Sequence, residues 1–397
     1  MSAHETAIPK TEVFDNKHAG AWPLYLLVAS GVGILASLVG AFLNQSQFAY
    51  SWLFAFAFFF TLCAGALFWV LVHHAVDAEW TVVVRRVLET VASLLPVLFF
   101  VFLPLFFVAP ILWKWWGVPH GADPVLDKKH AFLNIPFFVI RTFLYFGLLS
   151  GVAFLLRSLS IRQDADGSTS HTVKMRKIAV AGIPCFALSL TFGAFDWLMG
   201  LDYHWFSTMW GVYIFAGAAG ASMSMLVLIV TALRSKGYLQ FVTLEHYHIM
   251  GKLMLAFCVF WAYIGFSQYM LIWYANIPEE TSYFIRRNIG SWNAMSLFLV
   301  IGRFFVPFFF LLLQATKKNP KYLCIVGGWL VFMQLLDIYI IVMPMLHQAG
   351  FAPHILDLCA LLAIGPLLGF LFLKRLGQQS LFPIRDPRLP ESLRLTN

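Results

Sequence analysis

Charge is scarce in this chain. Only 12% of its 397 residues are Asp, Glu, Lys or Arg, against 60% hydrophobic and 17% aromatic, and the mean hydropathy is +0.78. A soluble domain carries about 25% charged residues, so the composition excludes that class and leaves a polytopic membrane protein. Paired cysteines are missing as well: Cys63, Cys185, Cys258, Cys324 and Cys359 fall singly in five different apolar runs, with no CxxC and no CxxCH. This speaks against a disulfide framework, a c-type haem or an iron–sulfur site in the chain, and leaves the five as small packing residues. Residues 1–21 are polar and mixed in charge, with Glu5, Lys10, Glu12, Asp15 and Lys17, and lack the basic and apolar regions of a signal peptide, so the first apolar helix is expected to stay in the mature protein. No polar block between the apolar runs is long enough for a second, soluble domain. The organisation expected is an N-terminal tail (1–21), one membrane domain (22–376) and a C-terminal tail (377–397).

What is present is a series of runs of about 20 residues, the length that crosses a hydrocarbon core of ~30 Å. There are ten: Trp22–Leu43, Trp52–His74, Val87–Leu112, Leu133–Leu156, Ile178–Met199, Met209–Leu233, Met250–Tyr274, Ser291–Gln314, Tyr322–Leu346 and Ile355–Leu373. An even number puts both termini on one side. That side holds 20 of the 27 Lys and Arg residues and the opposite side five, while Arg141 and Arg303 lie inside helices. By the positive-inside rule both termini are expected in the cytoplasm. The net charge of +8 therefore reads as membrane topology, with the lipid bilayer and not nucleic acid as the partner.

The two halves look related. Phe48-Ala49-Tyr50-Ser51-Trp52 introduces the second span and Trp205-Phe206-Ser207-Thr208-Met209-Trp210 the sixth. Arg141 in the fourth, beside Asn134-Ile135-Pro136-Phe137-Phe138, is echoed by Arg303 in the eighth, beside Phe304-Phe305-Val306-Pro307-Phe308. The expectation is an all-α membrane fold of two related four-helix bundles, helices 2–5 and 6–9, with helices 1 and 10 peripheral. Gly211, Gly217, Ala218, Ala219, Gly220, Ala221 and Ser222 give the sixth helix a face of small residues, suited to close packing.

Polar residues inside apolar runs carry the functional reading, since an unpaired ionised side chain at the bilayer centre costs about 2.5–3.5 kcal/mol on insertion scales. Asp196 lies near the end of the fifth span, Arg303 near the middle of the eighth and Asp337 a little past the middle of the ninth. Arg303 is expected to pair with Asp337, and Arg141 with Asp196. At the inner end, Glu245, His248, Lys252 and Tyr263 share one face of the seventh helix, with His73, His74, Glu89 and His246 at a similar level. Histidine, glutamate and tyrosine side by side can pass protons near neutral pH; interfacial snorkelling and a local pairing of Glu89 with Arg85 or Arg86 is the plainer alternative. Ordered by depth, Glu89, His246, His248, Lys252, Tyr263, Arg303, Asp337 and Asp196 form a candidate proton route. Asp202, His204 and Trp205 in the central hairpin are candidate quinol-side contacts. All twelve histidines lie at helix ends, in loops or in a tail, so facing ligands for a b-type haem are not expected. Neither His73-His74 nor Glu245-His246-Tyr247-His248 presents one helix face to a metal. The tail after Leu373 reads as a cytoplasmic extension able to dock a partner or anionic lipid.

Several of these stretches occur together in one known group. Phe195-Asp196-Trp197-Leu198-Met199, His204-Trp205-Phe206-Ser207-Thr208-Met209, Glu245-His246, Gly251-Lys252, Phe260-Trp261-Ala262-Tyr263 and above all Ser267-Gln268-Tyr269-Met270-Leu271-Ile272-Trp273-Tyr274-Ala275-Asn276-Ile277-Pro278-Glu279-Glu280-Thr281 resemble the NrfD/PsrC-like family of integral membrane proteins. The likeness is to its ActF-type subunits of bacterial alternative complex III and covers roughly residues 48–346. The resemblance implies ten helices in two four-helix bundles and a place in the bacterial inner membrane, in a complex that passes electrons from quinol to a cytochrome c or a terminal oxidase. It implies partners that hold the redox groups: a multihaem cytochrome c with haem c, an iron–sulfur protein with its clusters, and a paralogous ten-helix membrane subunit. This chain would then be a subunit without redox cofactors or catalytic residues of its own, with a proton-conducting or coupling role. The family commonly carries histidine at the positions of Arg303 and Gln334, and arginine, which stays charged, argues against a route needing a titratable ring there. Two further readings stand beside it: a quinol site in this chain, and an independent secondary transporter.

Overall fold

The computed structural model describes residues 11–396. Among the described residues there is no strand, only an isolated antiparallel bridge between Val13 and Ser380. Ten helices among these residues are long and apolar enough to cross a membrane: α1 (Trp22–Leu43), α2 (Gln45–Ala75), α3 (Glu79–Phe107), α4 (Ile135–Asp166), α5 (Thr169–Asp202), α6 (Trp210–Ser235), α7 (Leu244–Ala275), α8 (Ser291–Leu312), α9 (Pro320–Met345) and α10 (Ile355–Leu376). The protein is an all-α membrane protein of ten spans.

The helix ends have local causes, and several lie outside the apolar runs that announce them. Asn44, Asn134 and Asn319 cap α2, α4 and α9 through their side-chain oxygens, satisfying N–H groups that the first turn leaves without partners. The start of α2 at Gln45, well before Trp52, is polar because Gln47 and Ser51 both donate to Asp357 of α10, the serine at 2.5 Å. The stretch between Leu156 and Ile178 is helical almost throughout. Only Gly167, in the left-handed conformation, and Ser168 separate α4 from α5. Its residues are polar because the chain has left the hydrocarbon, not the helix.

In the packing, α2 is central. α3 and α5 lie against it with α4 behind them; α7 and α9 lie against α6 with α8 behind; α2 and α6 join the two bundles, and α1 and α10 pair on the flank of α2. Close approach depends on small residues. A Cβ on Gly65 would strike the Ala218 carbonyl where α2 crosses α6, and one on Gly33 would strike the α10 backbone at Leu362–Ala363. The small face of α6 is a packing face: Gly211 meets Thr191, and Gly217 meets Arg303 and Gln334. The first bundle closes around Trp197, whose ring lies 5.1–5.5 Å from Phe56, Phe60, Phe102 and Phe146.

Two spans are irregular, each for a proline. Pro96 cannot donate an N–H to the preceding turn, and α3 breaks at Ser93–Leu94, where Arg375 of α10 donates to the Ser93 hydroxyl at 2.7 Å. In α8, Pro307 leaves the Arg303 carbonyl without its helical donor, and Ile301–Phe305 widens into a π-turn of the kind that recurs at functional positions. Cys258 of α7 donates its thiol to the Arg303 carbonyl at 3.3 Å, and Trp329 donates to that of Gly302 at 2.5 Å.

The C-terminal tail folds back under the end of the bundle that holds both termini. Leu381 and Phe382 are fully buried, the Leu381 N–H donates to the Glu12 carbonyl, and Asp386 pairs with Arg85 at 2.7 Å and with Arg388 at 2.8 Å. Leu381, Phe382 and Asp386 are thus committed to contacts within the chain itself.

Candidate functional site

The second bundle holds the most developed polar site within the membrane-spanning part. Asp337 of α9 is 3% exposed. Its Oδ1 accepts from the Tyr213 hydroxyl at 2.6 Å, and its Oδ2 accepts from Arg303 at 2.7 Å and from the Trp261 indole at 3.2 Å. Four helices, α6 to α9, supply this set. Arg303 has other partners ready: it donates to Gln334 and, at 3.4 Å, to the Met333 carbonyl, and its guanidinium lies 4.4 Å from the centre of the Trp261 ring. Gln334 in turn donates to Thr61 of α2 at 3.2 Å. A hydrogen-bonded chain thus runs from Tyr213 through Asp337, Arg303 and Gln334 into the first bundle, and the bare α6 backbone at Gly217 makes room for it.

Asp337 also lines a cavity of about 720 Å³ whose walls include Trp205, Trp210, Tyr213, Trp261, Gln268 and Tyr283. The lining residues Tyr263 and Phe266 of α7 and Leu297 and Val300 of α8 are exposed, so the cavity opens sideways between these two helices, toward lipid. Two of its indoles, Trp205 and Trp210, have buried N–H groups without a partner. A buried donor left unmatched costs about 1–3 kcal/mol, so the cavity offers hydrogen bonds to any oxygen that enters. Trp205 stacks on Tyr283 at 4.3 Å, and the Arg287 guanidinium lies over the Tyr283 ring at 3.4 Å while donating to the Ile340 and Ile341 carbonyls. Burial pushes the Tyr283 hydroxyl up to about 12, so it remains a neutral donor at physiological pH.

The equivalent position of the first bundle is closed. Arg141 of α4 holds Asp196 of α5 in a bidentate pair at 2.6 and 2.9 Å, Tyr145 adds a third bond at 2.9 Å, and the Phe132 and Phe137 rings contact the guanidinium at 3.8 and 4.2 Å. Every oxygen of Asp196 is engaged and the residue is fully buried. The same helix pair of each bundle therefore carries an Arg–Asp pair, one locked and one at a cavity. Removing one partner of such a buried pair costs about 3–5 kcal/mol, while replacing both with apolar residues is often neutral. Asp196→Asn is accordingly expected to lower the unfolding midpoint in detergent steeply, and Arg141→Met with Asp196→Leu to restore most of it.

The structure separates the other candidate residues. Glu89 is held by Arg85 at 2.9 Å and Arg86 at 3.1 Å, on the first bundle. Arg85 also reaches His73 at 2.8 Å. His246, fully buried, closes the capping box of α7 with Thr243. Glu245 pairs with Lys318 at 2.6 Å and lies 3.7 Å from His248, and Lys252 is exposed. Beyond them Leu253, Met254, Leu255, Phe257 and Phe260 fill the next turns of α7, and Tyr263 stands on the outer rim of the cavity. In the central hairpin, Asp202 accepts from Arg286 at 2.6 Å, His204 and Tyr203 both meet Asp123, at 2.9 and 2.8 Å, and Lys129 donates to the Tyr203 carbonyl at 2.6 Å. The Tyr203 hydroxyl, with the Val125 and Leu126 amides and His204, holds the Asp123 carboxyl down at about 2. Asp202 and His204 thus fasten the loops at the end of the bundle opposite the C-terminal tail, and of the three hairpin candidates Trp205 lines the cavity. Tyr213, Trp261 and Gln268 carry no charge and stand in aromatic surroundings; the sequence marks Trp261 and Gln268 only as members of the family-like stretches, and Tyr213 not at all.

Among the described residues no group of three or more His, Cys, Asp or Glu is placed to hold a metal ion. No protein-family model matches the chain, and no curated protein matches it.

Proposed function

We propose that this chain is a membrane subunit, without redox cofactors of its own, of a bacterial quinol-oxidising respiratory complex. In this reading it anchors the complex in the inner membrane with both termini in the cytoplasm, and it conducts or couples protons through Asp337. Haem c and iron–sulfur clusters belong to its partners, a multihaem cytochrome c and an iron–sulfur protein, and a paralogous ten-helix subunit sits beside it. The observation that carries the proton role is Asp337 itself, a buried carboxylate in the inner part of a lipid-facing cavity whose arginine partner has alternative acceptors. When a proton reaches Asp337, Arg303 would lose its counter-charge, which is tolerable only because Gln334, the Met333 carbonyl and the Trp261 face already hold the guanidinium. Arg303 acts by position, through its bonds to Asp337 and Gln334.

The family and the partners are tested by solubilising native membranes in a mild detergent. Co-migration of the chain with haem c and companion subunits is expected; a stable, lone protein without haem-bearing partners would overturn the reading and favour a secondary transporter. Against a transporter, the irregular spans α3 and α8 are not each other's counterparts in the two bundles, where paired broken helices are the usual mark.

A second reading, that quinol binds in this chain, rests on the unmatched indole N–H groups of Trp205 and Trp210. Quinol oxidised there would pass two electrons to the haem c and iron–sulfur clusters of the partner subunits and release two protons. Trp205 and Trp210 would orient its oxygens, while Tyr213 and Asp337 stand where a released proton could be taken. Photo-labelling by a quinone analogue is expected on α7 or α8 in this reading, and labelling confined to another subunit would exclude it.

A further inference from the structure

A second recess lies far from the Asp337 cavity, on the lipid-facing side of the α4–α5 hairpin and at the end that holds both termini. It is a groove of about 370 Å³ lined by Phe154, Leu155, Ser158 and Leu159 with Arg162 of α4, and by Lys174, Lys177 and Ile178 of α5. No acidic residue lines it. The order of residues along α4 gives it a polar mouth and an apolar depth: at 1.5 Å per residue, Phe154 lies about 12 Å along the helix from Arg162. Phe154 and Leu155 are exposed, at 69% and 47%, so the apolar part is uncovered within this chain.

The charge here is unbalanced because the nearby acids are already used. Asp164 accepts from Arg86 at 2.7 Å and from the Ile384 amide at 2.9 Å. Asp166 holds His171 at 2.8 Å, and Asp77 binds Arg176 and Arg388. Arg157, one turn deeper, donates to Thr90 at 2.8 Å. Arg162, Lys174 and Lys177 make no ion pair among the described residues. A merely solvated face would need only the cations. This hairpin adds an apolar groove directly beneath them.

We propose that the groove binds one anionic phospholipid, its phosphate held among Arg162, Lys174 and Lys177 and an acyl chain lying along Phe154, Leu155 and Ile178. Basic recesses between membrane helices at the polar interface suit such headgroups, each cation adding roughly a factor of five to the affinity. The site is independent of the Asp337 cavity and of the respiratory reading.

The test uses the delipidated full-length protein, with whatever subunits accompany it, titrated in neutral detergent with dioleoylphosphatidylglycerol, dioleoylphosphatidylcholine or inorganic phosphate and followed by native mass spectrometry. One phosphatidylglycerol is expected to stay bound at concentrations where phosphatidylcholine does not, and phosphate is expected not to displace it. Arg162→Gln with Lys174→Gln and Lys177→Gln is expected to weaken that adduct roughly 100-fold, whereas Lys236→Gln with Lys321→Gln and Arg394→Gln, the same loss of charge on exposed residues at the same end, leaves it in place. Equal retention of the two lipids, displacement by phosphate, or an adduct that survives the first triple variant would each overturn the proposal. Circular dichroism of both triple variants confirms that the fold is retained.

Discussion

Asp386→Asn is expected to destabilise the protein by about 3–5 kcal/mol, the penalty for breaking a buried ion pair: Arg85 is left sharing Glu89 with Arg86, and Arg388 keeps only Asp77. Asp386 is 3% exposed and Arg85 fully buried, and Arg85 cannot relax into water because His73 and Glu89 enclose it. The carboxylate also accepts from Arg388 through both oxygens, and Arg388 reaches Asp77 in the turn between α2 and α3. Burial alone would raise the pKa of Asp386, but Arg85 and Arg388 bring it well below the ordinary carboxylate range. A group depressed in this way contributes its full stability above the unfolded value of about 4 and loses it only as the pH falls through the folded value. The wild-type tail is therefore expected to stay docked at pH 4. Limited proteolysis reads this directly: the segment after Leu376 should resist cleavage in the wild type from pH 7 to 4 and become cleavable in Asp386→Asn. The same stability in both proteins would show that the pair contributes nothing.

The tail shows where reading the sequence stops. Its residues are ordinary for a polar extension, and the burial of Phe382 and Asp386 depends on partners more than 140 positions away, Phe241 and Arg85. The spans and the two Arg–Asp pairs were legible because hydrocarbon imposes a rule that holds anywhere in a chain: a charge in an apolar run needs a partner at its own depth. The row Glu245, His248, Lys252 and Tyr263 was legible as one helix face, but helical spacing says nothing about which side of α7 turns inward. Tyr263 turns outward, to the cavity rim. The cavity itself was hidden, since Tyr213, Trp261 and Gln268 are three polar-tipped residues in a chain with 13 tyrosines and 14 tryptophans.

Asp337→Asn is expected to abolish most of the proton transfer that accompanies electron flow in the reconstituted complex, with electron flow itself retained. The same substitution strands Arg303 and lowers stability, so the single variant confounds two effects. Asp337→Asn with Arg303→Gln separates them. With both charges gone, about 3–5 kcal/mol of penalty disappears and the unfolding midpoint returns toward wild type, while the proton yield stays low because no carboxylate is left to be protonated. Asp196→Asn supplies the contrast. It breaks an equally buried pair, but one with all its oxygens bound and no cavity beside it, so it should cost stability and leave the proton yield per electron unchanged. Equal proton loss from Asp196→Asn would mean that the pairs act only by holding the bundles together. Recovery of proton transfer in the double variant would mean that Arg303, and not Asp337, had been obstructing or permitting the path.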